Sequence, residues 1–99
     1  MDIKELKNLT ILFADDDPIM RASLGNSLSL MSKNVILAAN GLEAARLYRE
    51  NDVHIVILDI SMPHKSGLDV AKEIRESDKN IPIVILTAYE DLDNLRAAI

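Results

Sequence analysis

Residues 53–59 read V-H-I-V-I-L-D, and this stretch decides the fold. Val53 to Leu58 is a six-residue aliphatic run suited to a central parallel strand covered on both faces, with His54 on one side of it and Asp59 at its exit. Two other segments repeat the arrangement: Leu9 to Ala14 runs into Asp15-Asp16-Asp17, and Ile81 to Leu86 runs into Thr87. If the three strands are parallel neighbours, their carboxyl ends bring Asp15, Asp16, Asp59 and Thr87 into one crevice. The predicted crevice is acidic, with a hydroxyl at its rim.

The segments between these strands carry helix signals. Asp17 is placed to cap a helix that opens at Pro18 and reaches Leu30 or Met31, because proline in a first turn loses no internal hydrogen bond. Val35 to Ala39 forms a short strand, and Asn40-Gly41 turns into a second helix that Asp52 closes. Leu68, Ala71 and Ile74 give the apolar spacing of a third helix over about 68–76, after the loop I-S-M-P-H-K-S-G. Asp91 to Ile99 starts a fourth, incomplete helix. The pattern is four strand–helix units in a single domain, residues 1–99, with helices on both faces of the sheet.

Composition narrows the function. With 48% apolar and 27% charged residues, the chain is an ordinary globular one with an aliphatic core. Its net charge of −5, one phenylalanine, two tyrosines and no tryptophan argue against direct nucleic-acid binding, and no segment resembles a membrane span or signal peptide. The absence of cysteine is compatible with a reducing compartment. These features predict a cytoplasmic protein.

The acidic crevice suggests its own chemistry. Asp15, Asp16 and Asp59 brought together repel one another, and a hard divalent cation relieves that repulsion. Asp59, presented rigidly at a strand end, suits a nucleophile that attacks phosphorus to give a mixed anhydride. Thr87 could hydrogen-bond a phosphoryl oxygen, or satisfy a local backbone acceptor. Tyr89 gates access to the crevice or covers the fourth helix at the surface. His64 reads as a solvated loop residue, and neither histidine has metal-cluster spacing.

In order, I-L-F-A-D-D-D-P, I-V-I-L-D-I-S-M-P-H-K-S-G and I-V-I-L-T-A-Y closely resemble the response-regulator receiver domain. The resemblance implies a doubly wound, flavodoxin-like α/β fold with a parallel sheet, and a role as phosphoacceptor in two-component signalling. It places Mg2+ at Asp16 directly, at Asp15 mainly through water, at Asp59 and at the Ser61 backbone carbonyl. Asp59 would accept phosphate from a histidine kinase or phosphotransfer protein, and Thr87 would be the hydroxyl residue that moves toward it. Met62-Pro63 and Gly67 match the receiver loop, where Gly67 is expected to take a backbone geometry closed to other residues. Ser61 and Tyr89 resemble the positions that tune access of attacking water.

In a complete receiver a fifth strand carries an aromatic switch residue and ends in a lysine, and both would lie beyond Ile99. The sequence is therefore expected to be a receiver with four of five strands, prone to self-association or element swapping, and doubtful as an independent enzyme. Neither Lys65 nor Lys72 is expected to replace the missing lysine. Two other readings stay open. One is a phosphorylation-independent partner-binding or dimerisation module. The other is a metal-dependent phosphohydrolase, because Asp15-x-Asp17 resembles the spacing of haloacid-dehalogenase-like phosphatases.

Overall fold

The computed structural model describes residues 6–86. Thr87, Tyr89 and the helix expected over 91–99 lie outside the described residues. The elements are β1 (Thr10–Ala14), α1 (Pro18–Ser29), β2 (Asn34–Ala38), α2 (Gly41–Glu50), β3 (Ile55–Asp59), α3 (Gly67–Ser77) and β4 (Ile83–Leu86).

All strand pairs are parallel, in the order β2-β1-β3-β4. Phe13 lies between Leu37 and Ile57, and Ile57 pairs in turn with Val84. Side-chain alternation then sorts the core into two layers. Ile11 and Phe13 pack with Leu28 of α1 and Ile55. Leu12, Ala14, Val56 and Leu58 face the other way, onto Ala44 of α2 and Val70 and Ile74 of α3. Helices therefore cover both faces, which makes the sheet doubly wound. Because β1 leads outward to β2 and the chain then crosses back to β3, the strand order reverses between β1 and β3. A crevice opens there at the strands' carboxyl ends.

Each helix begins on a polar cap. Asp17 Oδ1 accepts the Ile19 N–H at 2.9 Å, Asn40 Oδ1 accepts that of Glu43 at 2.9 Å, and Ser66 Oγ accepts that of Asp69 at 3.1 Å. The Glu43 carboxylate reaches back to the Ala39 N–H, so the turn into α2 is held reciprocally.

Several expected boundaries move. The third strand starts at Ile55 rather than Val53, because His54 is drawn to the start of β1: its N–H donates to the Thr10 carbonyl, and its Nδ1 accepts the Thr10 N–H at 3.0 Å. Asn51, not Asp52, ends α2. Gly67 does not take a left-handed backbone; the positive φ in its loop, 70°, belongs to His64. Gly67 is required for space instead, since a Cβ there would lie 2.1 Å from the Asp59 carbonyl oxygen.

Candidate functional site

The crevice contains the acidic cluster that strand order predicts. Asp15 follows β1 and Asp59 ends β3, two adjacent strands in register from Ile11↔Ile55 to Ala14↔Leu58. One carboxylate oxygen from each of Asp15, Asp16 and Asp59 lies within 4.8 Å of the others. Adjacent residues reach one point because the backbone turns at the end of β1. Asp15 is buried, whereas Asp16 is exposed at the mouth.

The loops fix these carboxylates. Asp15 Oδ1 accepts the Asp17 N–H at 2.9 Å, and the Asp15 N–H donates to the Ala38 carbonyl at 3.1 Å. Asp59 Oδ1 receives the Ser61 N–H at 3.4 Å. Beyond Asp59, the Ile60 N–H donates to the Leu86 carbonyl and the Ile60 carbonyl accepts the Gly67 N–H, each at 3.0 Å, so the two peptides that follow the nucleophile candidate are both anchored. Asp17 is the α1 cap, as expected.

Electrostatics mark Asp59 apart. Its carboxyl is raised from 3.8 to about 6, first by burial and then by the negative charge of Asp15, with Asp16 and a hydrogen bond that protonated Asp59 donates to the Asp15 carboxylate adding to the rise. The Ser61 N–H opposes these effects. Three hard oxygen donors that destabilise one another's charge form a donor set that fits a divalent cation of the Mg2+ or Ca2+ type.

One residue near the site went unnoticed in the sequence. Arg21 Nη1 donates to the Asp15 carbonyl at 2.8 Å, tying the first turn of α1 to the acidic loop. Its spacing, four after the cap Asp17, places it on the cap's face of the helix, which is the one signal that could have pointed to it. Lys65 does not turn to the acidic cluster; its ammonium pairs with Glu73 of α3. His64 is exposed, in keeping with a solvated loop position. Met62 is buried in the core beneath α2 and α3, which anchors the loop after Asp59.

Comparison with known proteins agrees with this geometry. Residues 11–99 match the family described as the response regulator receiver domain. Response regulator MprA of Mycobacterium sp. (strain KMS) is 40% identical over 82 residues, 83% of this chain and 36% of that protein. The probable transcriptional regulator ycf27 of Cyanidium caldarium is 38% identical over 82 residues, 83% of this chain and 32% of its own length. The chain thus spans about a third of the curated relatives it matches. Among solved structures, response regulator TrrA from Thermotoga maritima in complex with Mg2+–BeF aligns with a TM-score of 0.80 at 38% identity, covering 91% of this chain and 79% of that one. A complex of histidine kinase ThkA with TrrA aligns with a TM-score of 0.75 at 42% identity over 82% of this chain and 70% of that chain. A parallel sheet whose strand order reverses beside paired acidic loops, and a family match reaching from β1 through all later elements, lead to one assignment: the chain belongs to the response regulator receiver domain family.

Proposed function

We propose that this chain is a phosphoacceptor in two-component signalling, taking a phosphoryl group on Asp59 from a histidine kinase or phosphotransfer protein. The observation that carries the proposal is the convergence of the Asp15, Asp16 and Asp59 carboxylates within 4.8 Å at the strand-order reversal. In the transfer, an Asp59 oxygen forms a bond to phosphorus as the donor's phosphorus–nitrogen bond breaks. The freed imidazole keeps the bonding pair and takes up a proton when it leaves as neutral histidine.

Asp15, Asp16, Asp59 and the Ser61 carbonyl would hold Mg2+, which when bound offsets the repulsion between the attacking carboxylate and the phosphoryl oxygens. Asp15 contributes a carboxylate oriented by the Asp17 N–H, and the Ser61 N–H favours the ionised form of Asp59 that must attack. Thr87, next in sequence after β4, is assigned the hydroxyl contact to the phosphoryl group. TrrA, solved with Mg2+–BeF and with the kinase ThkA, supports this choice of cation and donor.

Within residues 6–86 no helix is long and apolar enough to cross a membrane. Intact-mass measurement after incubation with an acyl-phosphate donor and Mg2+ tests the proposal. One added phosphoryl group is expected, and none in Asp59→Asn. Equal uptake by that variant would remove Asp59 from the role.

A further inference from the structure

The loop that leads from Asp59 into α3 is gripped from two sides through one residue, Lys65. Its backbone meets the first residue of α2: a Cβ on Gly41 would lie 1.9 Å from the Lys65 carbonyl oxygen and 2.6 Å from the carbonyl carbon. Its ammonium pairs with Glu73 Oε2 on α3, while Glu73 Oε1 accepts from Arg49 Nη1 of α2 at 3.2 Å. The Lys65 side chain is 26% exposed and that of Arg49 60%, so the lysine pair is the better shielded from solvent.

The rest of the loop has few polar ties. Its ends are held by the Ser61 N–H on Asp59 and the Gly67 N–H on Ile60. Between them, Met62 supplies an apolar anchor, and the Lys65 N–H bonds the Pro63 carbonyl at 2.8 Å across His64, whose φ is 70°. A non-glycine residue in that conformation costs about 1 kcal/mol, so contacts around it must hold the turn. Lys65 is placed to do so.

The geometry points to Lys65 as a positioning residue, clamped between Gly41 and Glu73, that fixes the Ser61–Ser66 loop and with it the Asp59 carboxylate and Ser61 carbonyl for the cation. The inference rests on the reading of the pocket given above. It assigns this lysine no contact with the phosphoryl group. Its ammonium is committed to Glu73, and its effect passes through the backbone.

The sign of two substitutions separates a clamp from a through-space charge. If charge alone mattered, Lys65→Met would remove a cation and strengthen Mg2+ binding, whereas Glu73→Gln would remove an anion and weaken it. A clamp requires both to weaken binding, by roughly two- to fivefold, with the double substitution no worse than either single one. Lys65→Arg, which can keep the pair, restores binding. Arg49→Met breaks only the neighbouring pair and leaves Mg2+ affinity unchanged, even where it lowers the melting temperature as much as the others do.

Calorimetric Mg2+ titration and thermal unfolding of each variant of the full chain give the answer. If the unsubstituted chain binds no Mg2+, the pocket reading falls and the clamp with it. If it binds, and Asp16→Asn abolishes that binding, then tighter or unchanged affinity in Lys65→Met overturns the clamp alone. Should Lys65→Met not fold, Glu73→Gln against Arg49→Met decides: a loss in Glu73→Gln with Arg49→Met unchanged supports the clamp, whereas equal affinities in the two, or tighter binding in Arg49→Met as charge alone predicts, overturn it.

Discussion

Gly67 lies so close to Asp59 that a Cβ on it would sit 2.1 Å from the Asp59 carbonyl oxygen and 2.9 Å from its carbonyl carbon. The obstruction is backbone, which cannot rotate aside as a side chain can. Gly67→Ala is therefore expected to lose about 1–3 kcal/mol of stability, measured by urea unfolding, and to displace the Asp59 peptide. Gly25 in α1 provides the contrast, because its added Cβ would meet only the Leu37 side chain, at 3.1 Å. There the gain in helix propensity, about 0.5–1 kcal/mol, offsets the crowding, and Gly25→Ala is expected to be near neutral. A Gly67→Ala protein as stable as the unsubstituted one would show that the loop yields freely.

Asp17 separates the helix cap from the cation site. Its Oδ1 accepts the Ile19 N–H at 2.9 Å, and it is absent from the carboxylate cluster of Asp15, Asp16 and Asp59. Asp17→Ala should cost about 1 kcal/mol, whereas Asp17→Ser should retain most of the cap. Neither should change the number of Mg2+ ions bound in calorimetry. Loss of the ion from Asp17→Ser would make Asp17 a ligand.

Much of this site was legible because parallel strands place their exits together, so that residues 15, 16 and 59 converge whatever fills the loops. Asp17 was legible as a cap because Pro18 follows it. The missed features depend on tertiary approach. Gly41 and Lys65 are distant in sequence, and nothing in Asn40-Gly41 announces that another loop's carbonyl will rest there. His54 lies in an aliphatic run that reads as strand, yet its imidazole finds a backbone partner in Thr10, and the regular strand starts one residue later. Gly67 was rightly singled out but for conformational freedom, when the constraint is volume.

Like charge in the cluster predicts a trade between stability and binding. Burial and the neighbouring carboxylates disfavour ionised Asp59, so Asp59→Asn should stabilise the cation-free protein at neutral pH. The gain should be small, on the order of 0.5 kcal/mol, since solvent screens a partly exposed carboxylate. Thermal unfolding in chelator should show the variant melting higher, and excess Mg2+ should narrow or reverse the difference by stabilising only the unsubstituted protein. A variant that melts lower in chelator would mean that the Asp59 carboxylate makes net favourable contacts without a cation.

The same residue fixes the pH dependence. The folded-state value of Asp59, about 6, lies above its ordinary 3.8, so between these values the folded chain holds a proton that the unfolded chain has released. The associated stability is fully present below the ordinary value and is lost as pH rises through about 6. Cation binding runs the opposite way, because a divalent ion takes the carboxylate and displaces the proton. Mg2+ affinity should therefore climb as pH rises toward about 6 and level off above it, with a slope of up to about tenfold per pH unit on the acid side. Subtracting the Asp59→Asn profile isolates this contribution. Titrations in buffers spanning the window should show the climb in the unsubstituted protein and a much flatter curve in the variant. Parallel profiles for the two would place the proton-linked step on a group other than Asp59.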